Sequence, residues 1–216
     1  MALAMQQLLL SWILIGILDL PADQVGVIQA LIGIPGIVLM LMGGASADQK
    51  DARRLLVQIY LIAPILPLFL LLMEQWQWLN VATVTLWGLG MSVVQSYSMP
   101  GQQAILNRVS GNSVQQGITV ATAIGYVVQV IGLGLAGQID RLGVSPVLIM
   151  QALTLLMAGI MMLRIAPMPV VRNTGTAASP IQGIAEGLRA TYRSPVIFDA
   201  LLINFVSSIL NAGSFV

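Results

Sequence analysis

The sequence predicts an all-α membrane protein, and three observations carry that prediction. Only 8% of the 216 residues are charged, where a soluble domain carries about 25%, and 57% are hydrophobic. Mean hydropathy is +0.91. Uncharged runs of helical length recur at residues 25–43, 55–73, 79–99, 117–136 and 144–163. About 20 apolar residues cross a hydrocarbon layer of about 30 Å. The runs are continuously apolar, whereas a barrel strand alternates.

Each expected span follows from the chain in order. Residues 3–18 form a shorter first span that carries Gln6 and Gln7. No basic segment or small-residue cleavage site accompanies it, so it does not read as a signal peptide. Spans two to six are the five uncharged runs. Pro35, Pro64 and Pro67 are expected to kink the second and third. Trp76 and Trp78 stand where an interface anchor is expected. Residues 164–195 form the longest polar stretch. Val170 to Pro180 read as linker, and 181–193 as either a short amphipathic helix or a solvated connector. Residues 196–216 make a seventh apolar run with Asp199 near its start.

Sidedness follows from counting. If connections alternate, one side holds 44–54, 100–116 and 164–195, with Lys50, Arg53, Arg54, Arg108, Arg164, Arg172, Arg189 and Arg193. The other side holds 19–24, 74–78 and 137–143, with Arg141 alone. The excess of basic residues places the first set and the N-terminus in the cytoplasm.

Composition also excludes function classes. Nine basic and eight acidic residues leave a net charge of +1, which offers no cationic face to a nucleic acid. The chain has no His and no Cys. That removes the Ser-His-Asp triad, thiolate chemistry and the usual zinc ligands, so no enzyme, metal or cofactor is expected. Gly132-x-Gly134-x-x-Gly137 spells a dinucleotide fingerprint, but it lies inside an apolar span without a βαβ unit.

The most distinctive local segment is Gly44-Ala-Ser-Ala-Asp48-Gln-Lys-Asp51-Ala-Arg53-Arg54-Leu-Leu. It reads as a tight cytoplasmic turn: Gly44 allows close helix approach, Asp48 sits at the boundary, and two arginines face an anionic leaflet. The segment resembles the signature between helices two and three of the major facilitator superfamily. It is similar in particular to the transmembrane secretion effector, or enterobactin-exporter-like, branch, which Asp48, Asp51, Arg53, Arg54, Leu55 and Leu56 match. Gln49 and Ala52 stand where that branch usually has Arg. Other stretches resemble the branch in the same order: Gln6-Gln7 with Ser11-Trp12, Gly26 and Pro35, Met99-Pro100 through Val109, Gly132 through Gly137, and Glu186 through Val196.

The resemblance implies a six-helix N-terminal bundle over 1–163 with its first helix incomplete, a cytoplasmic central loop over 164–195, and the start of a C-terminal bundle over 196–216. It implies a multi-pass protein of the inner membrane that exports a small organic molecule, such as a drug or siderophore, in exchange for protons. A missing C-terminal half would be its partner, so the chain alone is expected not to transport. Gly44, Asp48, Asp51, Arg53 and Arg54 would act as conformational-gate residues. The alternative is a non-transporting membrane assembly or regulatory protein.

Two further sets of residues follow from the spans themselves. The first six carry no Asp, Glu, Lys or Arg, and the amides among their polar groups stand out. Gln7, Gln29, Gln95 and Gln129 are the candidate lining of a cavity for a weakly charged or amphiphilic solute. Gly125, Gly132, Gly134 and Gly137 are candidate close-packing positions of the fifth helix.

Overall fold

A computed structural model describes residues 1–49, 51–110 and 113–165, together with 199, 202, 203, 206 and 207; for 38, 41–49 and 108 the description covers backbone only. The chain divides into two compact units, Met1–Arg172 and Asn173–Val216. In the second, Asp199, Leu202, Ile203, Val206 and Ser207 are helical and exposed. The rest of the expected central loop and seventh span, including the 181–193 segment and Asn204, lies outside the described residues.

The first unit is built of helices and short connections, with no strand among the described residues. The helices are α1 (Ala2–Trp12), α2 (Ala22–Gln49), α3 (Ala52–Ile62), α4 (Ile65–Gln75), α5 (Val81–Ser110), α6 (Val114–Ala136), α7 (Ile139–Leu142) and α8 (Val144–Leu163). Three are long and apolar enough to cross a membrane: the α3–α4 rod Ala52–Gln75, α6 and α8. Ala2–Ile17 and Ala22–Ile37 are shorter apolar helices.

Local chemistry sets the ends of these elements. α1 widens into a π-helical turn, Ile13–Ile17, where the Leu18 N–H reaches the Ile13 carbonyl five residues back. The chain then turns through Asp19, which adopts a left-handed φ of 50° that Asp tolerates better than most residues. Ala63 and Pro64 divide the third span into α3 and α4, because Pro64 has no N–H to continue the ladder. Pro35 lies inside α2. Asn80 caps α5 reciprocally: its Oδ1 accepts the Thr83 N–H and the Thr83 Oγ1 accepts the Asn80 N–H, both at 3.0 Å. Gly143, with φ of 81°, links α7 to α8, a backbone that a residue with a Cβ resists.

Two expected connections are corrected. Residues 44–54 and 100–116 are largely helical: α2 continues to Gln49 and α5 to Ser110, through Pro100. The polar side chains there end the hydropathy run but not the hydrogen-bond ladder. Ala45, Ala47 and Gln49, then Gln102, Ala104 and Leu106, all favour helix. At about 1.5 Å per residue, α2 and α5 reach about 42 and 45 Å, longer than a hydrocarbon layer.

The core forms where apolar stripes meet. On α1 it comprises Met5, Leu9, Leu10, Ile13 and Leu14; on α5, Val84, Trp87, Met91 and Val94; on α8, Val147, Leu148, Ala152 and Leu155. α2 packs most extensively on α5. α8 receives α3, α4 and α1, while α6 lies on α1 and α5. At one end, the Ser145 hydroxyl donates to the Glu74 carboxylate at 2.9 Å, placing an acid at the start of α8 where a helix dipole favours it. Trp76 and Trp78 meet edge to face there, centroids 6.3 Å apart, and both are largely exposed.

Candidate functional site

Four helices line an open cavity of about 800 Å³, and each contributes at least one polar side chain. From α1 come Gln7 and Ser11, four residues apart, with Gln6 beside them. From α2 come Gln29 and Gly33, again four apart. α5 supplies Ser92, Gln95, Met99 and Gln102, at intervals of three, four and three. α6 supplies Thr122, Gly125, Tyr126 and Gln129. Residues so spaced share one face of a helix, and these faces turn toward a common space. The remaining wall is apolar, with Leu3, Leu10 and Ile32.

The cavity therefore brings together all four expected amides, Gln7, Gln29, Gln95 and Gln129. Sequence reading did not place Gln102, Ser92, Thr122 or Tyr126 with them. The signal that could have found them is the polar periodicity itself, above all Ser92-Gln95-Gln102 on α5.

Two lining amides are braced by neighbours. The Gln29 Nε2 donates to the Ser11 hydroxyl at 3.3 Å, tying α2 to α1. The Gln102 Nε2 donates to the hydroxyl of Tyr60, which is buried on α3. Gln6 is 8% exposed, and its Oε1 has no hydrogen-bond partner. Behind the wall, the fully buried Gln151 donates from Nε2 to the Ala2 carbonyl at 3.2 Å. No charged side chain is found among the described residues of the lining.

The expected gate residues occupy a different place. Gly44 and Asp48 belong to the last turns of α2, and their side chains are outside the described residues. Asp51 caps α3, its Oδ1 accepting the Arg53 N–H at 3.0 Å. The Arg53 Nη2 donates to the Leu163 carbonyl at 2.8 Å, near the end of α8. An arginine there satisfies an orphan helix carbonyl and suits the negative end of the dipole. Arg53 thus ties α3 to α8 within the bundle, while Arg54 is exposed. Replacing Arg53 with Met should lower stability by about 1.5 kcal/mol, the low end for a hydrogen bond to a charged group. Arg54→Met should stay within about 0.5 kcal/mol. Thermal unfolding of both variants in lipid nanodiscs checks this; equal effects would refute the tie.

The four candidate close-packing glycines stand in different surroundings within the chain. A Cβ on Gly132 would come within 3.0 Å of the Met1 carbonyl oxygen, so Gly132 does close-pack against the start of the chain. Gly125 and Gly134 face open space, and Gly137 meets only its own helix. Composition reveals that glycines are present, not which way they point.

Comparisons with protein-family models, with curated proteins and with solved structures return no match to this chain.

Proposed function

We propose that this chain is a helical bundle of a transmembrane transporter of the major facilitator type, lodged in the inner membrane, and that the four-helix cavity is its solute site. The observation that carries the reading is the convergence of polar side chains from α1, α2, α5 and α6 on one space of about 800 Å³. Polar groups in a membrane bundle are costly against lipid, so they turn to a cavity or to one another. A volume of this size suits a small organic molecule. Alternating access by rocking two bundles about a central site would then move the solute, and the resemblance supplies both the second bundle and proton exchange.

Sidedness is consistent with this reading. Arg53, Arg54 and Arg164 gather at the end where α3 begins and α8 ends. Glu74 and Ser145 mark the opposite end, where α7 carries Asp140 and Arg141. The arginine-rich end would be cytoplasmic.

The test is efflux of drugs and siderophores from cells expressing the protein. Gln95→Leu should cut efflux about tenfold, the effect of about 1.4 kcal/mol, at unchanged expression. Efflux unaffected by Gln95→Leu would remove the cavity from the mechanism. Asp48→Asn tests the gate role; a wild-type rate would remove it. A second reading, a non-transporting assembly or regulatory protein, draws on Gly134 of α6, which faces open space outside the cavity lining.

A further inference from the structure

We infer that the solute held by the four-helix cavity is electrically neutral and carries several hydroxyl or amide groups. This rests on the reading of the cavity as a solute site and names the chemistry of what enters it. Gln6, Gln7, Gln29, Gln95, Gln102 and Gln129 reach the lining from four helices. Each primary amide offers two N–H donors and a carbonyl with two lone pairs. A ring of amides therefore alternates donor and acceptor, and so does a polyol or an amide-rich solute.

Charge is disfavoured by the same wall. An ion entering the cavity gives up part of its hydration, and the neutral amides of the lining return dipoles but no opposite charge. Among the described residues the lining supplies no carboxylate, ammonium or guanidinium side chain to pair with it; Met1, which also lines it, brings the α-amino group as the one ionisable group there. The amides are also partly set in place. Ser11 fixes Gln29 and Tyr60 fixes Gln102, which lowers the ordering cost of binding. Tyr126, exposed on α6 three residues from Gln129, adds a flat ring against which an apolar face of the solute can lie.

A charge-matched series tests this on the full chain in lipid nanodiscs. The probes are 4-methylumbelliferyl glucoside (neutral), its glucuronide (anionic) and its 2-amino-2-deoxy analogue (cationic). They share a fluorophore and nearly a volume, and binding is read by equilibrium dialysis against empty nanodiscs. The neutral probe should bind at least tenfold more tightly than either charged one. Gln95→Glu, checked for unchanged folding by size-exclusion chromatography, should weaken the neutral probe and strengthen the cationic one at least tenfold. A charged probe binding as well as the neutral one overturns neutrality while the cavity remains a solute site. Saturable binding by none of the three overturns the solute site and this inference together. Neutral selectivity that survives Gln95→Glu unchanged overturns the role given to the lining amides.

Discussion

Trp87→Ala should lower the stability of the bundle by about 3 kcal/mol, the low end for truncating a buried Trp. Trp87 is fully buried on α5, in the stripe Val84, Trp87, Met91 and Val94. The low end applies because lipid is itself apolar. Little transfer energy is at stake between bilayer and bundle, and the loss is mainly of packing contacts around the hole. The indole Nε1 has no hydrogen-bond partner. Trp87→Phe removes that unpaired donor along with part of the ring, so it should cost less than half of what Ala costs. SDS titration of both variants in mixed micelles gives the comparison. If Phe proves as damaging as Ala, the indole N–H is paired and the account of this site is wrong.

α5 explains why hydropathy underrates a central helix. Its apolar stripe faces the core while Ser92, Gln95, Met99 and Gln102 face the cavity on an adjacent stripe. The two average to a modest hydropathy, and α5 is not among the three helices long and apolar enough to cross a membrane, although it is the chief partner of α2. The runs 55–73, 117–136 and 144–163 were legible because α3–α4, α6 and α8 carry little polar surface. The ends of α2 and α5 were not, because hydropathy stops at the first polar cluster and a helix stops where its hydrogen bonds stop.

The same distinction governs the cavity. Gln7, Gln29, Gln95 and Gln129 stand out in sequence as amides on apolar helices. That they meet in one space depends on which faces α1, α2, α5 and α6 turn to each other, and packing decides that. Gln102 lies beyond the uncharged run 79–99, in the polar stretch 100–116, so its link to Tyr60 across α3 and α5 has no sequence signal. Arg53 was legible as a charge at a boundary; its hold on Leu163, 110 residues away, was not.

Gly36→Val should destabilise the bundle by about 2–3 kcal/mol, in the range for overpacking a tight site. A Cβ at Gly36 would fall 2.4 Å from the Ser92 Oγ and 3.6 Å from the Ser96 Oγ, at a crossing of α2 and α5. The same crossing holds a hydrogen bond from the Ser96 hydroxyl to the Gly36 carbonyl at 2.8 Å. Gly36→Ala should cost about 1 kcal/mol, since the Ser92 hydroxyl can rotate away from a single methyl. Val adds branches that rotation does not clear, so the helices must part and the Ser96 bond lengthens. Because Ser92 and Gln95 share this stretch of α5 and line the cavity, the displacement should also weaken solute binding. A double-mutant cycle isolates the cause. In a Ser92→Gly background the cost of Gly36→Val should fall by at least about 1 kcal/mol, within the coupling range for contacting residues. An unchanged cost there would mean that Gly36 is required for something other than the approach of Ser92.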